Sequence, residues 1–369
     1  MAGGLGVSER VALTTIEEWS KKVSDLVIRR LILLAMMQKK GRIKTGCSGG
    51  GFRWPVRVKE HKLFGFPDAV PLEIGTRHNT KENAYLGWRG YYTNDTITLR
   101  EKLENGGPEA MINVFDSRES LMREAAIKGL AAEFFVDGNA TAQVAREAFH
   151  GIESFMGIGA QTGSSIIAST HDDSYAGLST AVSALGTDTE SQRVWTPTII
   201  NTNHTPTGGQ QLWADYADQY LREINLRMTF GQGSGDKPDI CMLTRDDYKS
   251  LLNLLDDKER ITVARGSSMD LVKLGFGDHV EIDGLPVTWD VAVPSTDSDS
   301  VTVRGYVLTT DRMELKVLGP ASQKQLFKSR VTFNDSYQAD HIFLYLLGNL
   351  KFESPKFFGK LADISGVSS

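Results

Sequence analysis

The spacing of hydrophobic positions changes several times along the chain, and each change marks an element. Between residues 14 and 40, Ile16, Trp19, Val23, Leu26 or Val27, Arg30, Leu31 and Leu34 recur at three- and four-residue steps, the spacing of one helix face. Gly41 and the run Gly49-Gly50-Gly51 stop that helix. The period then drops to two: Phe52, Trp54, Val56 and Val58 alternate with Arg53, Pro55 and Arg57, as in a half-buried strand. A second strand begins near Ala84 and runs through Leu86 and Trp88. About 25 residues lie between the two strands, including Phe64, Phe66, Pro67, Pro71 and Gly75. Two strands around so long a tip predict a projecting hairpin, and such an arm needs a surface to lie against.

Helical spacing returns after Asn105-Gly106-Gly107. Pro108 stands at a first helical position, and Met111, Phe115, Met122, Ala126, Leu130 and Phe134 follow until Asp137-Gly138. A helix from Pro108 to Val136 is about 40 Å long at roughly 1.5 Å per residue, the dimension of a spine. From Gly157 to Gly209 the chain is rich in Ser, Thr, Gly and Asn and has little periodicity, so an irregular excursion with a short strand at Val194–Ile200 is expected. Trp213, Tyr216, Tyr220 and Ile224 form one stripe of a second helix. PDICMLT reads as a short buried strand, and Thr244 with Asp247 makes a capping box for the helix RDDYKSLLNLL. Asp283-Gly284 between two apolar runs is a two-residue hairpin turn. GYVLTT is another strand, and SRVTFNDSYQADHIFLYLLGNLKF reads as two strands with a break at Asn334-Asp335-Ser336. The fold class is α+β, without repeating βαβ units.

Composition bounds the class of protein. The 369 residues can bury a core unaided, and the two cysteines, Cys47 and Cys241, make no disulfide framework. The N-terminus lacks a secretory pattern, and the longest greasy stretch, Leu26 to Met37, carries Arg29 and Arg30 in its middle. The expectation is a soluble chain in a reducing cytoplasm, without membrane contact. The net charge of -5 is unevenly placed: residues 1–100 hold 17 Lys and Arg against 9 Asp and Glu, and the rest hold 24 against 37. A basic arm of this kind serves a nucleic acid, an acidic surface of a second copy, or a solvated helix face.

Candidate chemistry is sparse. Asp137, His150 and Glu153 lie in FVDGNATAQVAREAFHGIESFMG and could pass for an acid–base set, beside a glycosylation sequon at Asn139. A helix stop at Asp137-Gly138 and a turn at His150-Gly151 account for them without catalysis. GIGAQTGSS and GQGSG lack the strand–loop–helix setting of a phosphate site, and no GxxxxGK[ST] occurs. The seven histidines have no metal-ligand spacing. Asp172-Asp173 and Asp297-Ser298-Asp299 complete no calcium loop and are expected as solvated loop acids. No nucleophile, metal or cofactor is assigned, and the reading is not an enzyme.

The ordered set of motifs resembles the major capsid proteins of tailed bacteriophages, the fold shared with herpesvirus capsid floors and encapsulins. The resemblance runs from about Ile16 to Ile364. FVDGN followed by HGIESFMG is similar to the segment after the family's spine helix; PDICMLTRDDYKSLLNLLDDKERIT, KLGFGDHVEIDGLPVTWDVAVPS and GYVLTTDRMELKVLG are similar to its axial domain; GNLKFESPKFFGKL is similar to its closing strand and tail. The resemblance implies an N-terminal arm at 1–48 and an extended loop at 49–92. It implies a discontinuous peripheral domain at 93–150 and 320–369, and an axial domain at 151–319 with a candidate insertion at 157–209.

It further implies self-assembly into pentamers and hexamers of an icosahedral head around double-stranded genomic DNA, with no sequence-specific binding. The location is the virion, assembled in the host bacterial cytoplasm. Implied partners are a portal, a separate scaffolding protein and decoration proteins; no long scaffolding segment precedes the Ile16 helix. Arm and loop would overlap a neighbouring subunit, which makes Arg29, Arg30, Arg57, Lys59, Lys62, Phe64, Phe66 and Arg77 the candidate subunit contacts. Some members crosslink subunits through a Lys and an Asn with help from a Glu; no such trio can be placed in this sequence. Two alternatives stand beside this reading: an encapsulin-type compartment, and an enzyme with a site near His150 and Glu153.

Overall fold

The computed structural model describes residues 32–57, 81–104, 114–159, 165–168, 170–181, 195–206, 209–231, 233, 235–257, 279–320, 326–334 and 338–364. The first part of the described chain holds α1 (Ile32–Lys39), β1 (Ile43–Cys47), β2 (Gly51–Arg57), β3 (Lys81–Gly87), β4 (Arg89–Thr98), α2 (Leu99–Glu104), α3 (Val114–Glu133) and α4 (Thr141–Ala145). The middle holds β5 (Ser174–Tyr175), β6 (Leu178–Ser179), β7 (Thr198–Asn201), α5 (Trp213–Met228), β8 (Ile240–Leu243) and α6 (Arg245–Asp257). Then follow β9 (Val280–Ile282), β10 (Leu285–Trp289), β11 (Thr302–Leu308), β12 (Met313–Leu318), β13 (Lys328–Asn334), β14 (Ala339–Phe352) and β15 (Gly359–Asp363).

Two sheets organise these elements. The first is built around β14, whose 14 residues pair with β4 along one edge and with β13 and then β12 along the other. β1 completes it, parallel to β12. Helix α3 packs on one face through Met122 and Leu130, and Arg118 ties it to β4 and α2 through Asp95, Glu101 and the Thr96 carbonyl. Along β14, Ile342, Leu344 and Leu346 are buried while His341, Phe343 and Tyr345 are only half-buried and Leu347 is exposed. That is the period-two alternation of a strand with one covered face.

The second sheet has the order β7-β15-β11-β8-β10-β9 and is buried on both faces. Ile240 and Met242 of β8 join the large core shared with the first sheet, and Cys241 and Leu243 pack under α5 and α6. A strand lined on both sides by apolar groups needs an unbroken hydrophobic run, which ICML supplies. The stripe of α5 faces the sheet with Trp213, Ala217, Tyr220, Leu221, Ile224 and Met228 buried. The expected hairpin joins β9 to β10, with Asp283 at φ 49° and Gly284 at φ 80°, the left-handed pair that a tight two-residue turn requires. The Thr244 hydroxyl receives the Asp247 backbone N–H at 3.3 Å, as a capping residue does. The reciprocal half of the box is replaced: the Thr244 N–H goes to the Arg304 carbonyl, and the Asp247 carboxylate takes the Thr244 hydroxyl and Arg304 instead.

Several expectations shift in detail. The described spine helix ends at Glu133, not Val136, and its 20 residues span about 30 Å. The return strand of the hairpin ends at Gly87, and after Trp88 the chain enters β4, which has no apolar alternation to announce it. The strand expected at Val194–Ile200 occupies Thr198–Asn201. Within the irregular excursion, Tyr175 and Trp195 are fully buried, so this segment fills core space between the sheets. Strand pairing also crosses the expected segment boundaries: β1 and β12 lie in the sheet with β14, and β15 lies in the six-stranded sheet. Residues 14–31, the loop tip at 58–80 and Pro108 lie outside the described residues.

Candidate functional site

The joint between spine helix and second sheet is where the sequence concentrates its polar residues. Asp137 closes an Asx turn by accepting the Asn139 N–H at 2.8 Å. The Asn139 side-chain amide donates to the Ser154 and Ser174 carbonyls, both at 2.8 Å, so the sequon nitrogen is spent on folding. His150 is buried; its backbone N–H and its Nδ1 both meet the side-chain amide of Asn349, at 3.0 and 2.9 Å. The same Asn349 donates to the Gly87 carbonyl at 2.9 Å, so one amide links the joint, β14 and the hairpin base. Burial, aided by the Arg89 guanidinium, pushes the His150 imidazole down to about 4. Glu153 turns away from both and bonds Tyr306 and Lys360. Each member of the apparent acid–base set therefore has a different structural partner.

Glu153 belongs to a buried ionic group that the sequence did not reveal. Lys360, on β15, has a side chain only 1% exposed; its Nζ lies 2.9 Å from Glu153 Oε2 and 2.6 Å from Asp297 Oδ2. The Asp297 side chain is likewise 1% exposed, which corrects the expectation of a solvated loop acid. Its other oxygen, Oδ1, accepts the backbone N–H groups of Asp299 and Val301 at 3.0 and 2.8 Å. Burial pushes the Glu153 carboxyl above the usual carboxylate range against the pull of Lys360. Burial also pushes the Lys360 ammonium down, but its two carboxyl neighbours outweigh this and hold it up. The available signal was a lysine set among the apolar residues of FFGKLA; its partners stand far away in sequence.

Asp173 is a second departure from the solvated-acid reading. It receives the Gly157 N–H at 2.6 Å, and burial, reinforced by Asp137, pushes its carboxyl up to about 8. Gly46-Cys47-Ser48-Gly49-Gly50 has the GxSxG spacing of a hydrolase elbow. It runs from β1 into β2, however, with no helix after an exposed Ser48. In GQGSG, the Asp236 carboxylate crowds Gly231 and Gly233, which opposes an anion there. Among the described residues, no group of His, Cys, Asp and Glu is arranged to hold a metal ion, and no helix is long and apolar enough to cross a membrane.

The paired strands β2 and β3, the stem of the expected hairpin, are fixed to the body. Phe52, Trp54, Val56, Ala84 and Leu86 bury one face of β2 and β3, and Trp54 Nε1 donates to the Glu353 carbonyl at 3.1 Å. Lys316 and Lys351 cover the rings of Phe52 and Trp54 at 4.9 and 5.5 Å. Trp88 Nε1 closes the base onto the Gly49 carbonyl. Of the candidate contacts, Arg57 sits exposed at the last residue of β2. Arg29, Arg30, Lys59, Lys62, Phe64, Phe66 and Arg77 lie outside the described residues. The basic segment after α1 is partly neutralised within its own chain: Lys40 pairs with Asp239, and Arg42 reaches Asp311 and Glu314.

One further surface stands out. The face of the first sheet away from α3 carries Phe343, Tyr345 and Leu347 on β14, with Tyr92 of β4 opposite Tyr345. Tyr92 is 76% exposed. Arg330 and Lys328 of β13 stand opposite Phe343 and Tyr345 on the same face.

Compared with protein-family models and with curated proteins, the sequence matches none. Solved structures match over nearly the whole length. The subunit of the capsid of a native GTA particle is 8% identical, with 94% of this chain and 95% of that one covered at a TM-score of 0.56. The cyanophage A-1(L) capsid gives 13% identity, 95% and 97% coverage and 0.57. The capsid of Myoviridae phage XM1 gives 11%, 98% and 100%, and 0.50. At these identities the likeness is one of fold, and the chain has the fold of phage capsid subunits.

Proposed function

We propose that this chain is a major capsid protein, a structural subunit that assembles with copies of itself into the pentamers and hexamers of an icosahedral head around double-stranded DNA. The observation that carries the reading is the correspondence with capsid subunits over 94–95% of this chain and 95–97% of theirs. The arrangement of the subunit supports it. A hairpin stem anchored by Trp54 and Asn349 can transmit load from the segment between its strands to the body. An aromatic face on the first sheet offers area that a second copy can cover.

On this reading β2 and β3 form the stem of an extended loop. The first sheet with α3 forms the peripheral domain, and the second sheet with α5 and α6 forms the axial domain that meets its copies at the symmetry axes. Arg57 and the basic residues of arm and loop contact the neighbouring subunit. The subunit resides in the virion after assembly in the host cytoplasm, with a portal, a separate scaffolding protein and decoration proteins as further partners. DNA is enclosed without sequence readout. Negative-stain microscopy of the expressed protein, with its scaffolding partner where needed, tests this. Closed icosahedral shells or hexameric sheets are expected; a monomer or dimer at every concentration overturns the reading. DNA inside particles from infected cells separates a phage head from a compartment loaded with an enzyme.

A further inference from the structure

The buried group at the joint has the parts of a one-turnover amide-forming site. We propose that Lys360 and Asp297 become joined within each subunit by an amide bond between Lys360 Nζ and Asp297 Cγ, with Glu153 carrying the proton. Three observations place the parts together. The nucleophile is in contact with its electrophile: Nζ lies 2.6 Å from Asp297 Oδ2. The other Asp297 oxygen is already held by two backbone donors, Asp299 N–H at 3.0 Å and Val301 N–H at 2.8 Å, where negative charge would grow during attack. A second carboxyl, Glu153, touches the same nitrogen at 2.9 Å and is itself held by the Tyr306 hydroxyl.

Burial supplies the driving condition. An ammonium between two carboxyls, one of them protonated, contains the same number of protons as a neutral amine between two carboxylic acids. Water stabilises the first arrangement, and a dry site removes much of that advantage. The Lys360 side chain is 1% exposed, Asp297 1% and Glu153 4%. The two carboxyls hold the ammonium up, so the reactive arrangement, in which one proton has passed from Nζ to Oδ2, is the minor one, but its groups are already in contact and no translational entropy is left to lose.

The step balances without any external reactant. The Nζ lone pair forms the bond to Cγ, and the carbonyl pair moves to Oδ1 under the Asp299 and Val301 N–H groups. Glu153 gives its proton to the Oδ2 hydroxyl, which departs as water, and recovers a proton from the nitrogen. One amide and one water result, and Glu153 is unchanged. The bond ties β15 to the loop entering β11, inside one chain, so it forms on folding and does not depend on shell assembly.

Intact mass of the full-length denatured subunit, followed by peptide mapping, tests the proposal. The expected result is a chain one water lighter than its sequence, yielding a branched peptide that joins the Asp297 and Lys360 segments. Asp297→Ala and Glu153→Gln should both return the full sequence mass, the second with Tyr306 and Lys360 still able to bond the amide oxygen. A wild-type chain at full mass overturns the proposal whether or not either variant folds. So does water loss without a branched peptide, since cyclisation at Asp137-Gly138 or Asp283-Gly284 also releases water. Water loss persisting in folded Glu153→Gln removes Glu153 from the role assigned to it.

Discussion

The two sheets are finished differently. The six-stranded sheet is closed on both faces by its own chain, α5 and α6 on one side and the shared core on the other. The five-stranded sheet is covered by α3 on one face and carries Tyr92, Phe343, Tyr345 and Leu347 on the other. A protein that ended its life as a monomer would gain by making those positions polar, because aromatic surface in water promotes association. The difference assigns stability to one sheet and leaves the other with area to offer a partner.

The strongest way to break the contrast is to open the self-contained sheet. Leu243→Ala removes a fully buried side chain between β8 and the helices, and a loss of about 2–5 kcal/mol in urea unfolding is expected. A milder probe acts where the two sheets meet. His150 is held neutral, with its imidazole pushed down to about 4 from 6.5. Below pH 6.5 the unfolded chain takes up a proton that the folded chain refuses until about pH 4. Stability present above 6.5 is thus lost as pH falls through that window, by on the order of 3 kcal/mol. A His150→Gln subunit should show a flatter melting profile over the same range; an unchanged slope would assign the acid sensitivity elsewhere.

The open sheet should answer in the opposite way. Tyr92→Ser with Leu347→Ser is expected to shift subunit unfolding by no more than about 0.5 kcal/mol for each exposed position while abolishing shells in electron micrographs. A large loss of fold stability with normal shells would reverse the roles given to the two sheets. The smallest effect belongs to the basic stem. Alanine at Arg57, Lys59 and Lys62 together should slow assembly and flatten its salt dependence, each pair contributing up to about 1 kcal/mol. Assembly at the wild-type rate with the wild-type salt dependence in that variant would remove these residues from the contact.

Local signals in the sequence carried much of this architecture. The alternation Phe52, Trp54, Val56, the Asp283-Gly284 turn and the stripe of α5 are all decided by near neighbours, and each element lies where its pattern predicts. β4 was not legible. Its residues RGYYTNDTIT alternate weakly because one face is half-solvated, and it becomes a strand by pairing ten positions with β14. The ionic group was hidden for the same reason: Glu153, Asp297 and Lys360 are distant in sequence, and loop acids look alike whether wet or buried. For Asp137, His150 and Glu153 the sequence showed the helix stop and the turn, and their partners (Asn349, Lys360, Ser298) required the fold.

β14 has a mechanical consequence. Its hydrogen bonds to β4, β13 and β12 run across the strand axis, so a pull along that axis loads them together in shear. A strand peeled from one end gives up its bonds one after another; this one, held on both sides along most of its length, has to yield as a block. It is the natural tie-rod of the subunit. Its C-terminal half carries Asn349, which bonds the Gly87 carbonyl at the hairpin base, so tension entering through β2 and β3 is handed to the element best built to resist it.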